Sequence, residues 1–497
     1  MKPRVLLISC TCPSPSTPSL GVSSIATYLL SNGAEVKIFD DGPYMLDIQD
    51  TLSDPREKIL LVQKTDKRTL LRIPYGDRFS DLLELVDEFK PDLVGVSSTE
   101  VTFNNAIEYL DKIKERAPSI KTAIGGPFAI LAPEIAISRS SVDMVAFGEG
   151  EYALEEYCHR LMTNKDPMES KGFWVKSPGG QIRKNSPQTL VDINNIAPLR
   201  FDLYSPKRFL RPISGAVRRI FPLEVSRGCV YNCTFCASPE FRLRLRGGGE
   251  WQRNKKIAKI DTDISTYITL YDPEYFFIIS ETFLTMQASY LDAFVDMYNK
   301  YRIPFWMNTR PETIKDEYIK KLKDIGLERM SIGVECGNEK YRKAILNRRY
   351  SNAFLEKAFG ICRKYDIKVT ANVMIGLPEE TREMIFESIR LMRALKPTSL
   401  GLCIFQPFKG TRLYQYSVNK KYCDPSNIIS TTVYTPNMAN NKLPSEELIK
   451  LLYTFNLYVK MDETDWPLID SIDFNTDSGT ALFRHLTAQC SDSEAVK

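Results

Sequence analysis

The stretch SRGCVYNCTFCASP, residues 226–239, places Cys229, Cys233 and Cys236 within eight positions and supplies no fourth cysteine nearby. The next cysteine is Cys336, and the only histidines are His159 and His485. A structural zinc site is closed by four ligands, and a four-iron cluster normally takes four cysteines. Three thiols leave one coordination place for another molecule, which points to chemistry rather than to a structural metal knot. Eleven cysteines scattered over 497 residues do not read as a secreted disulfide framework.

Working outward from the triplet, six β-rich runs alternate with helical stretches: FPLEVS, YFFIIS, FWMNT, RMSIGVE, VTANVMIG and LGLCIFQP, with segments such as IKKLKDIG and MIFESIRLMRAL between them. That alternation predicts a partial (β/α)6 barrel, whose functional groups lie at the carboxyl ends of its strands. The cysteines occupy the loop after the first strand. Towards the N-terminus, RVLLIS, EVKIFD, DLVGVSS, KTAIGG and DMVAFGEGE alternate with helical patterns in the same way. They predict a flavodoxin- or Rossmann-like sheet with its ligand beyond the strand ends. The residues at those ends are Ser97, Ser98 and Thr99, then Gly125, Gly126 and Pro127, then Gly148, Glu149, Gly150 and Glu151. Close backbone approach to a bulky ligand and plain turn chemistry both suit them.

The α/β chain divides into 1–165, a Pro-, Gly- and Ser-rich linker 166–219, the barrel 220–415 and a C-terminal helical extension 416–497. An insertion at 41–76 is long enough to cover a ligand. The arginine- and glycine-rich stretch 241–256 reads as a solvated basic loop, with phosphate binding or shielding of the cysteines as alternatives. In the extension, Ser445 is expected to cap a helix that turns Leu448, Leu452, Phe455 and Val459 onto the barrel. Cys10, Cys12, Cys158, Cys362 and Cys403 read as small packing residues.

Composition narrows the function class. Apolar residues make up 43% and charged ones 26%, with a formal charge of +4. These ordinary globular values give no case for a nucleic-acid binder. No apolar run approaches the roughly 20 residues of a membrane span, and the N-terminus has no signal-peptide core. The expectation is a cytoplasmic protein.

The Cys-x3-Cys-x2-Cys spacing, with aromatic Phe235 before the last cysteine, resembles that of radical S-adenosylmethionine (SAM) enzymes. The resemblance implies a [4Fe-4S] cluster on Cys229, Cys233 and Cys236 whose open iron is chelated by SAM. An external electron donor such as flavodoxin or ferredoxin would reduce the cluster, and cleavage of SAM would give a 5′-deoxyadenosyl radical. Three further stretches are similar to motifs of that family: IGVECGNE at 332–339 with Glu335 placed for ribose hydroxyls, MIGLPEET at 374–381 with Gly376 and Pro378, and FQPFKGTRLY at 405–414. Cys336 replaces the usual serine, and Ser280 and Glu281 of IISET stand where many relatives carry acidic pairs. The implied SAM contacts are therefore Phe235, Ser280, Glu281, Glu335, Gly376 and Pro378.

The front segments PSPSTPSLGVSSIATYLLSNGAEVKIFD, PDLVGVSS, AIGGP and FGEGE resemble the cobalamin-binding domain that precedes the radical domain in one branch of that family. This implies cobalamin contacts from Ser97, Ser98, Thr99, Gly125, Gly126, Pro127, Gly148, Glu149 and Gly150. The Asp-x-His-x-x-Gly motif is absent, since CTCPSPSTPSLG holds no histidine to ligate cobalt from below. The implied activity is methyl transfer from SAM through methylcobalamin to an unactivated carbon or phosphorus centre of a small-molecule or peptide substrate. The alternatives are a cyclase or ring-rearranging enzyme on the same cofactors and, from another class, a noncatalytic iron–sulfur or zinc interaction protein.

Overall fold

Runs of consecutive apolar residues make stable strands when both faces of their sheet are covered, as in parallel sheets flanked by helices. The structure, a computed structural model, describes residues 2–11, 17–45, 59, 61, 76–430, 434–439 and 442–495. In its first sheet β1 (Arg4–Ser9), β2 (Glu35–Asp40), β3 (Leu93–Ser97), β4 (Lys121–Gly125) and β5 (Met144–Ala146) are parallel and ordered β2-β1-β3-β4-β5. Alternate residues of β1 serve opposite faces, as strand geometry requires. Leu6 and Ile8 pack with Leu82, Val86 and Phe103, while Val5 and Leu7 pack with Val22, Leu29 and Tyr157. Register puts Ser9, Ser97 and Gly125 side by side at the carboxyl edge.

Residues 166–219 are more than a tether. β6 (Phe173–Lys176) and β7 (Ile182–Lys184) extend the first sheet in antiparallel fashion, and β8 (Leu210–Ile213) pairs antiparallel with the first barrel strand. The span predicted as a linker thus supplies strands to both sheets, because its short apolar alternations FWVK and LRPI find open edges to pair with.

The second sheet carries six parallel strands in sequence order: β9 (Ala216–Glu224), β12 (Tyr275–Ile279), β13 (Phe305–Thr309), β14 (Leu327–Glu335), β15 (Lys368–Ile375) and β16 (Ser399–Ile404). Between the first two lies a short ladder of β10 (Ser226–Arg227) and β11 (Arg253–Asn254), which ties down both ends of the loop holding the three cysteines. This is the open (β/α)6 arrangement expected from the sequence, and its helices cover the outer face around one large apolar core.

In the C-terminal extension the helix Ser445–Lys460 buries Leu448, Leu452 and Phe455 in that core, as its periodicity predicts, while Val459 packs against it only partly buried. The capping expectation is corrected: Pro444 holds the cap position and Ser445 is the first helical residue, with no side-chain cap bond. Of the insertion at 41–76, Ile59 and Leu61 are buried in the barrel core, and most of the rest lies outside the described residues, as do Cys12–Ser16 of the first loop. Among the described residues no helix is long and apolar enough to cross a membrane.

Candidate functional site

The carboxyl edges of the two sheets face each other across a cavity of about 670 Å³. Its front wall contains all ten residues predicted at the strand ends, from Ser97 to Glu151. Its barrel wall is formed by Glu224, Ser226, Arg227, Phe277, Ile279, Ser280, Glu281 and Asn308. At the Gly126 turn of the front wall a side chain is missing for a steric reason. At Gly126, with φ +89°, a Cβ would stand 2.7 Å from the Ser98 carbonyl oxygen and 2.8 Å from Ser97 Oγ. Only glycine fits that conformation and that gap, so the loop presents backbone to the cavity.

The two walls are joined by buried charges. Glu149 accepts hydrogen bonds from Arg253 Nη2 at 2.6 Å, Arg253 Nη1 at 2.9 Å and the Val191 amide at 2.7 Å, and Arg227 Nη1 lies 3.4 Å away. Arg227 also pairs with Glu224 at 2.7 Å and Glu151 at 2.9 Å, and donates to Ser24 Oγ at 2.9 Å. Burial alone would raise the Glu149 carboxyl, but the Arg253 hydrogen bonds and the Arg227 charge outweigh it and hold the group below its ordinary value. Glu224 is likewise held ionised against burial by Arg227 and Lys255. Glu149 therefore lines the cavity while its carboxylate is committed to the clamp between the sheets.

This clamp corrects the expectation for residues 241–256. Rather than a solvated loop, the stretch bridges the two domains: Arg244 donates to the Ile130 carbonyl at 3.0 Å, Leu245 packs on Gly148, and Arg253 reaches Glu149. Burial of the Arg253 side chain, 13% exposed, is tolerated because a carboxylate meets it.

Ser280 and Glu281 lie where the cavity meets the cysteine loop. Ser226 donates to Ser280 at 2.7 Å, and the Gly228 amide, directly before Cys229, donates to Glu281 Oε1 at 3.0 Å. Burial raises the Glu281 carboxyl above its ordinary range. All three cysteines carry free thiols. Among the described residues no group of three or more His, Cys, Asp or Glu is drawn together closely enough to hold a single metal ion. The donor chemistry nevertheless fits a thiolate-bound cluster. Burial pushes the Cys236 thiol up to about 11, and the neighbouring Cys233 and Cys229 add to that rise. Loading metal would relieve this by taking up thiolates and releasing protons.

Two arginines that the sequence reading did not single out stand against this loop. Arg310 donates to Cys233 Sγ at 2.9 Å and lies 3.7 Å from the Tyr231 ring centroid. Arg348 lies 5.4 Å from the Phe235 ring centroid and pairs with Glu335 at 3.0 Å. Glu335, placed by its motif for ribose contacts, sits at φ +68° with its carboxylate turned to this arginine. Gly376 makes room for the C-terminal helix: a Cβ there would meet Leu448 Cδ2 at 2.5 Å. The Pro378 carbonyl accepts from Tyr341 at 2.7 Å. Phe235 and Glu335 meet through Arg348 beside the cysteines, and none of Phe235, Glu335, Gly376 and Pro378 lines the cavity itself. The signal for Arg227 was in hand, since it directly precedes Gly228 and the first cysteine. Arg310 and Arg348 carry no local signal of their own.

Comparison with known proteins matches residues 223–392 to the Radical SAM superfamily and residues 7–157 to the B12 binding domain. An uncharacterized methyltransferase of Pyrococcus horikoshii is 24% identical over 379 residues, covering 75% of this chain and 80% of that protein. The anaerobic magnesium-protoporphyrin IX monomethyl ester cyclase of Rubrivivax gelatinosus is 22% identical over 344 residues, covering 67% of this chain and 59% of its own length. The solved structure of the radical S-adenosylmethionine methyltransferase TsrM from Kitasatospora setae, with cobalamin and a [4Fe-4S] cluster bound, shares the fold. It has a TM-score of 0.69 at 14% identity, covering 99% of this chain and 100% of that one.

Proposed function

Since the chain belongs to the Radical SAM superfamily and carries a B12 binding domain ahead of that unit, we propose that it is a cobalamin-dependent radical SAM methyltransferase. Its acceptor would be an unactivated carbon or phosphorus centre of a small-molecule or peptide substrate. The observation that carries this reading is the single cavity lined by the carboxyl ends of both sheets, with the cysteine loop opening directly from its barrel wall. One group bound at each wall would face the same interior, as a reaction that combines two cofactors requires.

In this reading Cys229, Cys233 and Cys236 hold a [4Fe-4S] cluster. Ser280, Glu281, Glu335, Phe235, Gly376 and Pro378 surround SAM, and the loops at Ser97–Thr99, Gly125–Pro127 and Gly148–Gly150 cradle cobalamin. When bound, these groups supply radical initiation and methyl carriage, chemistry that side chains lack. The chain's own contribution is position and exclusion of water. The Gly126 turn brings backbone up to the cavity, the Glu149–Arg253 and Glu151–Arg227 pairs fix the distance between walls, and the Gly228–Glu281 bond sets where the cysteine loop starts. Electrons would come from a cytoplasmic donor such as flavodoxin or ferredoxin.

The similarity to a cyclase supports one runner-up, ring closure on the same cofactors without methyl transfer. Anaerobic reconstitution with iron, sulfide and cobalamin, followed by product analysis over candidate substrates, separates the two. A methyltransferase yields S-adenosylhomocysteine together with 5′-deoxyadenosine; a cyclase yields no S-adenosylhomocysteine. A reconstituted chain with no visible cluster absorbance overturns both readings.

A further inference from the structure

Two buried guanidinium groups meet the cysteine loop, and they are balanced differently. Arg348 faces Glu335 at 3.0 Å, and the two side chains are equally buried, 9% and 8% exposed. Its charge is matched where it stands. Arg310 pairs with Glu312 at 2.6 Å, but Glu312 is 29% exposed while the Arg310 side chain is 7% exposed. Water screens the carboxylate more than the guanidinium, so a net positive field remains on the buried side. On that side Arg310 Nη1 donates to Cys233 Sγ at 2.9 Å, and Cys233 is itself 6% exposed. Stacking on Tyr231, from the same loop, holds the guanidinium plane in place.

We propose that Arg310 sets the reduction potential of the cluster carried by the three cysteines, through its hydrogen bond to the Cys233 sulfur. The inference rests on the reading that these thiols hold a [4Fe-4S] cluster. Reduction adds one electron from the external donor, and with it one negative charge. A cationic donor on a ligating sulfur in a low-dielectric site stabilises the more negative state and raises the potential. Glu312 works in the opposite direction by partly cancelling that cation. Arg310 is a positioning residue here, acting through Cys233 and not on the substrate.

The test is an anaerobic redox titration, followed by electron paramagnetic resonance, of full-length reconstituted wild type, Arg310→Met, Arg310→Lys and Glu312→Gln. Arg310→Met is expected to lower the midpoint by about 60 mV, a tenfold loss in the one-electron reduction equilibrium. Arg310→Lys, which keeps the charge but loses the planar fork, should fall between it and wild type. Glu312→Gln should raise the midpoint. Opposite signs for the two partners would not arise from a general loosening of the loop. Equal midpoints in wild type and Arg310→Met at equal cluster loading overturn the proposal, as do shifts of the same sign in Arg310→Met and Glu312→Gln. If Arg310→Met fails to load, Arg310→Lys and Glu312→Gln still carry the sign test. Wild type without cluster absorbance overturns the cluster reading itself, a result distinct from a loaded cluster whose potential ignores Arg310.

Discussion

The two walls of the cavity solve the same problem with different physics. On the front wall, glycine turns at Gly125, Gly126, Gly148 and Gly150 stand among Ser97, Ser98 and Thr99 and beside apolar side chains such as Leu7, Leu20 and Ile25. On the barrel wall and the cysteine loop beside it, buried charge dominates: Arg227 against Glu224 and Glu151, Arg348 against Glu335, and Arg310 against Cys233. A wall of backbone turns and apolar side chains recognises a large rigid ligand by shape, whereas a wall of paired charges fixes small reactive groups and their electronics. The two should therefore fail separately when mutated.

The largest effect is expected at the cysteines. Cys233→Ala leaves two ligands, and we expect the cluster absorbance and all turnover to vanish while cobalamin affinity stays within about twofold of wild type, since none of the three loop cysteines lines the cavity. Gly126→Val is the mirror image. At φ +89° a β-branched side chain is strained, and its Cβ collides with the Ser98 carbonyl. Cobalamin affinity should fall by about a hundredfold, near 3 kcal/mol, with cluster absorbance unchanged. Equilibrium binding followed by cobalamin absorbance measures the first quantity. Loss of cluster in Gly126→Val would show that the walls are not independent.

How much of this was legible follows from sequence distance. The cysteine triplet is local, so spacing alone revealed it, and β1, β3 and β5 showed as apolar runs because they are buried on both faces. The small residues at the strand ends could be located by counting along those runs. The charged partners could not. Arg310 lies 77 residues from Cys233, Arg253 lies 104 from Glu149, and Arg227 lies 203 from Ser24. Nothing in the stretch around Arg253 distinguishes an arginine that will be buried between domains from one in water. The (β/α)6 pattern told which strand ends would converge, but the side chains that cross from one sheet to the other depend on how the sheets dock.

The clamp that couples the walls should give an intermediate effect. Arg253→Met leaves the Glu149 carboxylate buried, although Arg227 and the Val191 amide still face it. We expect a loss of about 2 kcal/mol in the first denaturation transition, below the cost of stripping a buried charge of every partner. Arg253→Met with Glu149→Leu should recover most of it, because no orphaned charge remains. Additive losses in the urea midpoints of the two single variants and the double variant would mean that the pair does not act as a unit.

The smallest effect lies in pH and contrasts acids inside the clamp with one outside it. Glu149 and Glu224 are held ionised by arginines and lysine, with pKa values below the ordinary range, so their contribution is present at neutral pH and is lost as the pH falls through those values. Asp41, beyond the end of β2 on the front side, behaves oppositely. It is fully buried, accepts from the Thr11 amide at 2.6 Å and has Tyr109 at 3.4 Å, while the nearby Arg208 is engaged by Asp40 at 2.6 Å. Burial, only partly offset by the Thr11 bond, pushes its carboxyl up to about 7. Above about pH 5 the unfolded carboxyl has lost its proton while the folded one keeps it, so stability declines as the pH rises through 7. Between about pH 6 and pH 8 the folded group gives up most of its proton, which amounts to a loss of about 1.4 kcal/mol. Asp41→Asn keeps an acceptor for Thr11 and has nothing to titrate. Its unfolding midpoint should therefore be flatter than that of wild type by this amount over the window, and parallel pH profiles for the two proteins would show that Asp41 is already ionised in the fold.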